Sequence, residues 1–356
     1  MTGENVQGKR IAIYGAGAMG TVLGGLLTAG GLKNVHLITR NKAHVDGLNE
    51  KGAQIVCTAE NEQKSIPVTA LTPSQMTGKY DVVFLMTKQR SNAEILTSLL
   101  EYMHEDTIVC TTQNGLPERS VEKVVGVERT FGGVASFGAT FIGGGAVELT
   151  TKFDGMRLQV APLEITPKTQ ERQKLLLDIL AFAGKAIGQS EFAKPAENLQ
   201  GARWSKLCIN AAFSGLSVVT GLKFGEIAKK RATKKLALGI LRECMDVANA
   251  LGVTLEKMQG HDMQKMLGGR SAFSTWLSLL ILPIAMRRHK KLVSGMLKDV
   301  QNGKKCEIDF INGVVVERGK AAGVPTPLCQ KVVEIVHGIE NGLYEIHYDN
   351  TRFFNA

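Results

Sequence analysis

Ile11-Ala12-Ile13-Tyr14-Gly15-Ala16-Gly17-Ala18-Met19-Gly20 decides the fold. Four apolar residues of strand character run straight into a GxGxxG, and a helical run follows. That is the order of the first strand, turn and helix of a dinucleotide-binding βαβ unit. Gly15 permits the tight turn, Gly17 removes the side chain that would hold a pyrophosphate off the backbone, and Gly20 lets the helix lie close against the sheet. Ala16, Ala18 and Met19 complete a loop whose backbone N–H groups, gathered at a helix N-terminus, favour an anion. A site for NAD carries Asp or Glu about 20 residues further on, at the end of the second strand, to hold the ribose hydroxyls. Arg40 stands there instead. Thr39-Arg40-Asn41-Lys42 offers cationic and amide donors suited to a 2′-phosphate, which a guanidinium binds in bidentate fashion, so the expected cofactor is NADP(H).

Outward from this loop, short β-branched runs alternate with helical stretches from Arg10 to about Ala161, the pattern of a parallel sheet built from βαβ units. Expected strands are 11–14, 35–38, 82–86 and 108–111. Two further runs, 146–149 and 156–160, read as a hairpin added to the sheet edge. Past Pro167 the pattern becomes helical: 175–184 reads as the last helix of the first domain, the polar segment 193–198 as the junction, and 199–342 as mostly helical. The expected fold is therefore α/β, with a Rossmann-type sheet domain over 1–196 followed by an all-helical domain over 197–356.

Of the 356 residues, 44% are hydrophobic and 21% charged, enough apolar material for two packed cores and contrary to a disordered chain. The polar start, 1–9, carries no export signal, and the longest apolar stretch, 273–286, falls short of the ~20 residues of a membrane span. A cytoplasmic protein is expected, with 273–286 a buried or lid helix, or equally a homodimer contact. Six cysteines lack CxxC pairing and seven histidines lack HExxH spacing, so no metal site is expected. The formal charge of +10 comes without a basic tail or interleaved aromatics. Its densest clusters, 229–235 and 287–291, read as solvated helix faces, and anionic small molecules explain the charge as well as nucleic acid does.

In the second half, Trp204-Ser205-Lys206-Leu207-Cys208-Ile209-Asn210-Ala211-Ala212-Phe213-Ser214 sets three polar residues in an apolar run. Lys206, Asn210 and Ser214 recur every fourth residue and form one line on a helix. A polar line among apolar neighbours is costly to bury without partners, so it should face a ligand, a cleft or another polar group. An ordinary solvent-facing stripe has the same spacing.

With these residues the chain resembles the ketopantoate reductase family, the 2-dehydropantoate 2-reductases, over nearly its full length. The resemblance rests on the loop Gly15 to Gly20, on Lys88, on Gln113-Asn114-Gly115 and on the segment from Trp204 to Asn210. Cys306-Glu307-Ile308-Asp309-Phe310-Ile311-Asn312-Gly313 and Gly323-Val324-Pro325-Thr326-Pro327 complete it. It implies a 6-phosphogluconate-dehydrogenase-like pairing of domains and NADPH-dependent reduction of a 2-keto acid to a 2-hydroxy acid. The substrate it points to first is 2-dehydropantoate, reduced to pantoate in pantothenate biosynthesis. By the same resemblance Lys206 is the general acid, and Glu307 is both the carboxylate that keeps its ammonium protonated and a cofactor contact. Asn210 is the substrate amide, and Asn114 lies beside nicotinamide and substrate. Lys88 and Arg40 flank the 2′-phosphate, and Ala139 gives a backbone contact to the cofactor.

The departures fall among the substrate contacts. Ser214 stands where the family commonly has a second asparagine, a shorter group with fewer hydrogen bonds to offer. Phe224 replaces a polar contact of some members. In Ser294-Gly295-Met296 the serine expected beside the methionine is Gly295, so that Ser294 or the Gly295 backbone is left to meet the substrate. The segment 255–292 is longer and more apolar than the family's. Loss of hydrogen-bond partners changes specificity more than an altered apolar wall does. An opine- or hydroxyacid-type dehydrogenase acting on another bulky 2-keto acid, and a non-catalytic NADP(H) sensor, therefore stand as alternatives.

Overall fold

Every residue of Ile11–Tyr14 is buried, as a central parallel strand covered on both faces requires. The computed structural model describes residues 4–258 and 260–354; residues 1–3, 259, 355 and 356 lie outside it. The chain divides into two compact units: Met1–Gln113 with Pro117–Leu199, and Asn114–Leu116 with Gln200–Ala356.

The strands of the first unit are β1 (Ile11–Tyr14), β2 (Val35–Ile38), β3 (Ala53–Cys57), β4 (Glu62–Ile66), β5 (Thr69–Leu71), β6 (Tyr80–Leu85), β7 (Met103–Thr111), β8 (Thr130–Ala135), β9 (Ala139–Gly143), β10 (Ala146–Leu149), β11 (Leu158–Pro162) and β12 (Ala193–Pro195). Its helices are α1 (Glu4–Gln7), α2 (Ala18–Ala29), α3 (Lys42–Lys51), α4 (Asn92–Leu99), α5 (Glu118–Val125) and α6 (Pro167–Ala186). The main sheet runs β12-β11-β8-β7-β6-β1-β2-β5, parallel throughout except where β11 meets β8 antiparallel. Alternation along β1 divides its side chains between two cores. Ile11 and Ile13 pack with Val22, Leu26 and Ile179 of α2 and α6, whereas Ala12 and Tyr14 pack with Leu96 and Val121 of α4 and α5. The sheet thus carries helices on both faces, the doubly wound arrangement that the GxGxxG context implies.

Two local expectations are corrected. Runs 146–149 and 156–160 are not a hairpin: β10 joins a second sheet of order β4-β3-β10-β9, while β11 lies between β8 and β12 in the main sheet. A 3-10 turn at Phe153–Gly155, anchored by the buried Phe153, separates the two strands, and burial rather than sequence proximity chooses their partners. The expected junction also contains a strand, Ala193–Pro195, paired parallel with β11. Its polar character belongs to a sheet edge, where a proline is tolerated and Lys194 faces solvent.

The second unit is helical: α7 (Leu199–Thr220), α8 (Phe224–Lys229), α9 (Arg231–Ala250), α10 (Met263–Leu267), α11 (Ala272–Ala285), α12 (Gly295–Gln301), α13 (Val314–Ala322) and α14 (Pro327–Glu340), with a π-helical turn at Asp309–Gly313. Its core gathers Trp204, Phe213 and Leu216 of α7, Leu241 and Met245 of α9, and Val332 and Val336 of α14. Buried Glu243 of α9 accepts from the backbone N–H groups of Leu328 and Cys329 at 2.8 Å each, stabilising the α14 N-terminus. All six cysteines are buried and reduced. Among the described residues no helix is long and apolar enough to cross a membrane. Of the readings of 273–286, the structure sets aside the buried helix: in α11 only Ser278 and Leu282 are buried.

Candidate active site

In the first unit, the residues expected around a dinucleotide follow the carboxyl ends of parallel strands. The loop from Gly15 follows β1, Arg40 follows β2 and Lys88 follows β6. Strand β1 lies between β6 and β2, so chain order reverses at β1, and crevices at such a switch point take ligands in open α/β sheets. Gly15 adopts φ +105°, and a Cβ there would lie 2.6 Å from the Met86 carbonyl carbon and the Thr87 nitrogen. A Cβ on Gly20 would meet the Gly15 carbonyl oxygen at 2.5 Å, whereas one on Gly17 would meet nothing within 4 Å. Gly15 and Gly20 are therefore required by packing, and Gly17 by the open space in front of it. That open cradle at the start of α2 fits a pyrophosphate against backbone N–H groups.

Arg40 is exposed beside a cavity of about 560 Å³ whose lining includes Lys42, Thr72, Ser74 and Gln75. Its neighbours from the expected donor set also make bonds along α3. Asn41 Oδ1 accepts from the His44 N–H at 3.2 Å and caps α3, and Lys42 pairs with Asp46 at 2.9 Å. Among the described residues Arg40 has no carboxylate within ion-pair distance. Burial pushes the Tyr14 phenol up, and the Arg40 charge opposes that shift. Ala139 opens β9 in the second sheet, partly buried, and Lys88 is exposed.

In the second unit, Lys206, Asn210 and Ser214 all lie on α7. From 201 to 220 every residue is buried except Lys206, Ile209 and Asn210, so the accessible surface of this helix is one short line. Burial pulls the Lys206 ammonium down to about 8, and the positive charge of Arg203 adds to the effect. An ammonium of that pKa gives up its proton far more readily than an ordinary lysine does near neutrality. Ser214, one turn further, is buried. Glu307 is partly buried just before the π-helical turn, and Asn114 is exposed.

Two departures from the family pattern now have physical accounts. Phe224 is a core residue, its ring 5.4 Å from that of Phe213, so its identity is set by packing. Ser294 is buried as the N-cap of α12 and accepts from the Met296 N–H at 3.1 Å, which commits its oxygen to the helix. Gly295, at the first position of α12, is exposed, and a Cβ there would meet nothing within 4 Å.

Two positioning groups carried no role in the sequence reading. Gln113 and Asn92 form a buried reciprocal amide pair, Asn92 Nδ2 donating at 3.0 Å and Gln113 Nε2 at 2.7 Å. Gln113 Nε2 also donates to the Thr87 carbonyl at 2.7 Å, tying the end of β7 to the loop that carries Lys88. Buried His44 of α3 accepts the Gly145 N–H on Nδ1 at 3.1 Å. Its Nε2 therefore holds the proton and donates to Thr21 Oγ1 of α2 at 3.0 Å. Gln113 lies within a quoted motif, so its signal was present; His44 gave none, because both partners are distant in sequence.

Comparison with known proteins gives the family. Residues 11–161 match the family model described as ketopantoate reductase PanE/ApbA, and residues 198–340 match that of its C-terminal part. A 2-dehydropantoate 2-reductase of Pyrococcus horikoshii is 28% identical over 320 residues, 90% of this chain and 93% of the relative. The structure of D-mandelate dehydrogenase with NADH and anilino(oxo)acetate matches with a TM-score of 0.78 at 25% identity, over 94% of this chain and 99% of its own. A PanE/ApbA family ketopantoate reductase from Ralstonia eutropha JMP134 matches with a TM-score of 0.75 at 25% identity, over the same shares. With both parts present in order along one polypeptide, the chain belongs to the ketopantoate reductase family of oxidoreductases.

Proposed function

We propose that this chain reduces a 2-keto acid to a 2-hydroxy acid with NADPH, and that 2-dehydropantoate, giving pantoate, is its substrate. In this reading residues 1–196 are the cofactor domain and 197–356 the catalytic one. The observation that carries it is Lys206: an ammonium of pKa about 8 on the short accessible line of an otherwise buried helix, in a chain that also holds an open dinucleotide loop. A bound nicotinamide dinucleotide supplies the hydride. The chain's residues do the rest. Backbone N–H groups of Gly15, Ala16, Gly17, Ala18, Met19 and Gly20 hold the pyrophosphate, Arg40 and Lys88 the 2′-phosphate, and Ala139 and Asn114 orient the reactive end. Lys206 stabilises the charge building on the carbonyl oxygen and delivers a proton to it. Asn210 and Ser214 orient the keto acid through its hydroxyl or carboxylate, Ser294 and Gly295 shape the wall beside it, and Glu307 favours the charged form of Lys206.

A second reading is favoured by the likeness to D-mandelate dehydrogenase and by the open space at Gly295: a bulkier, aryl-bearing 2-keto acid as substrate. One experiment separates the readings. Initial rates of NADPH and NADH oxidation are measured with 2-dehydropantoate beside phenylglyoxylate and a panel of aliphatic 2-keto acids. The highest kcat/KM with 2-dehydropantoate and NADPH is expected. A preference for phenylglyoxylate moves the substrate to the second reading. NADPH binding without turnover on any acid removes the enzymatic proposal in favour of a sensor.

A further inference from the structure

Glu307 is partly accessible between two buried residues, Cys306 and Ile308. The segment that carries it is fastened to α14 on both sides. Before it, the Cys306 N–H donates to Glu340 Oε1 at 2.7 Å. After it, Asp309 Oδ1 lies 2.8 Å from His337 Nε2, and the other ring nitrogen, Nδ1, lies 3.2 Å from Glu340 Oε2. A carboxylate only accepts, so each of these contacts uses a proton on the ring nitrogen that makes it. His337 and Glu340 stand three residues apart in the last turn of α14, on one face, and close a loop around Glu307 that runs Cys306, Glu340, His337, Asp309. The Glu340 side chain is only 4% exposed. Burial pushes its carboxyl up, but the Cys306 N–H and thiol, with His337, outweigh burial and hold it below its usual range.

We propose that His337 and Glu340 are positioning residues for the reduction: through Asp309 and Cys306 they hold the backbone on either side of Glu307 and so set where its carboxylate is presented. The inference rests on the role given to Glu307 above. Fold stability is a poor reason for the loop. The His337 and Asp309 side chains are 40% and 52% exposed, and ion pairs in such settings add little to folding. What the loop fixes is local. The turn after Glu307, Asp309–Gly313, is π-helical, a widened geometry that recurs at functional sites, and it needs outside bonds to keep its shape. Its far side is tied to α7. Fully buried Asn312 donates from Nδ2 to the Ala211 carbonyl at 3.1 Å, directly after Asn210, while among the described residues no N–H or O–H group donates to its Oδ1. An apolar side chain would fill that space without an unmet acceptor, so what the amide adds is the bond to α7. The turn is thus held between α14, which brackets Glu307, and α7, which carries Lys206 and Asn210. A displacement of about 1 Å in a supporting group can cost on the order of 100-fold in rate, which is the reason to brace such a segment.

The test is a double-mutant cycle in the full chain: His337→Ala, Glu307→Ala and both together, read by steady-state reduction of 2-dehydropantoate and by NADPH affinity in a fluorescence titration. The affinity arm does not depend on turnover. His337→Ala is expected to lower kcat about tenfold and weaken NADPH severalfold, with KM for the keto acid within about twofold and the melting temperature within about 4 °C of the parent. In the Glu307→Ala background the same change should alter each quantity less than about twofold, because there is no carboxylate left to place. Asp309→Ala breaks the loop from its other end and should reproduce the losses of His337→Ala. Equal losses with and without Glu307 overturn the proposal, since His337 would then act on the fold or on another group. Parental kcat and NADPH affinity in both His337→Ala and Asp309→Ala overturn it too. A Glu307→Ala chain with parental rate and affinity removes Glu307 from the proposed function and this inference with it, and that result is read from the one variant alone.

Discussion

Lys206 concentrates the chemical argument at the scale of single residues. In the proposed mechanism reduction needs its ammonium charged, and burial with Arg203 nearby sets that ammonium near 8. The rate of keto acid reduction, as kcat/KM, should be level below about pH 8 and fall roughly tenfold per unit above it. Lys206→Ala should lower kcat by about 100- to 10,000-fold and abolish this alkaline limb, with NADPH affinity by fluorescence titration little changed. Near-parental turnover in the variant would end the general-acid role. Arg40 makes a second test, because its guanidinium has no carboxylate partner among the described residues and borders the cavity beyond β2. Arg40→Ala should reduce the NADPH/NADH ratio of kcat/KM by about 10- to 100-fold, the scale of one charge-assisted contact. An unchanged ratio would move 2′-phosphate recognition elsewhere. Gly295 tests specificity. Since a side chain there meets nothing, Gly295→Ser should change stability by less than about 0.5 kcal/mol. It should raise kcat/KM for 2-dehydropantoate about fivefold and lower it for phenylglyoxylate, because a hydroxyl is gained where space is lost.

At the scale of elements, what was legible in the sequence was what is locally encoded. Strands β1 and β2 and helix α7 announce themselves through apolar runs, glycine spacing and a polar row, all within a few residues of chain. The elements misread or missed depend on partners far away. Nothing in 146–160 says that β10 belongs with β3 and β11 with β8, since pairing is chosen by burial across the unit. Helix α11 reads as a buried helix, a lid or a dimer contact alike, because apolar content does not reveal which side is left uncovered. Asn41 and Lys42 read as phosphate donors, and the structure adds a cap on α3 through Asn41 Oδ1 and a Lys42–Asp46 pair along it. The brace at His44 is equally non-local and carries its own prediction. Burial lowers its pKa from 6.5, and burial with the Arg10 charge lowers that of His36. In the unfolded chain both take up a proton as pH falls through about 6.5, and in the folded chain only at lower pH. Their stabilising contribution is thus complete above 6.5 and lost on acidification below it. Urea midpoints measured from about pH 7.5 to pH 5.5 should fall, and His44→Gln should flatten part of that slope. An identical slope in the variant would show that His44 does not titrate on unfolding.

At the scale of the whole molecule, the change of hydrophobic period near Pro167 announces a helical part of the chain, while the two compact units divide at Leu199, because α6 and β12 pack with the sheet. Net charge is also global, and the sequence alone left its purpose open between polyanions and small anions. The structure adds one fact. The Phe224 N–H donates to the Leu292 carbonyl, and the Gly225 N–H to that of Lys290, so the basic segment ending at Lys291 is fastened to the start of α8, the helix whose last residue, Lys229, opens the other basic cluster. A positive field of this kind raises the encounter rate of an anionic substrate and is screened as salt shortens its range from about 30 Å to about 8 Å. For a 2-keto acid, kcat/KM should therefore fall severalfold between about 10 and 150 mM potassium chloride, while kcat stays constant because the chemical step follows capture. Duplex DNA titrated under the same conditions separates the two uses of charge. A small-anion enzyme has no steep salt-dependent DNA affinity, whereas a log–log slope of several units would show phosphates being neutralised along a polymer. Constant kcat/KM together with such a slope would transfer the positive charge from substrate capture to nucleic-acid binding.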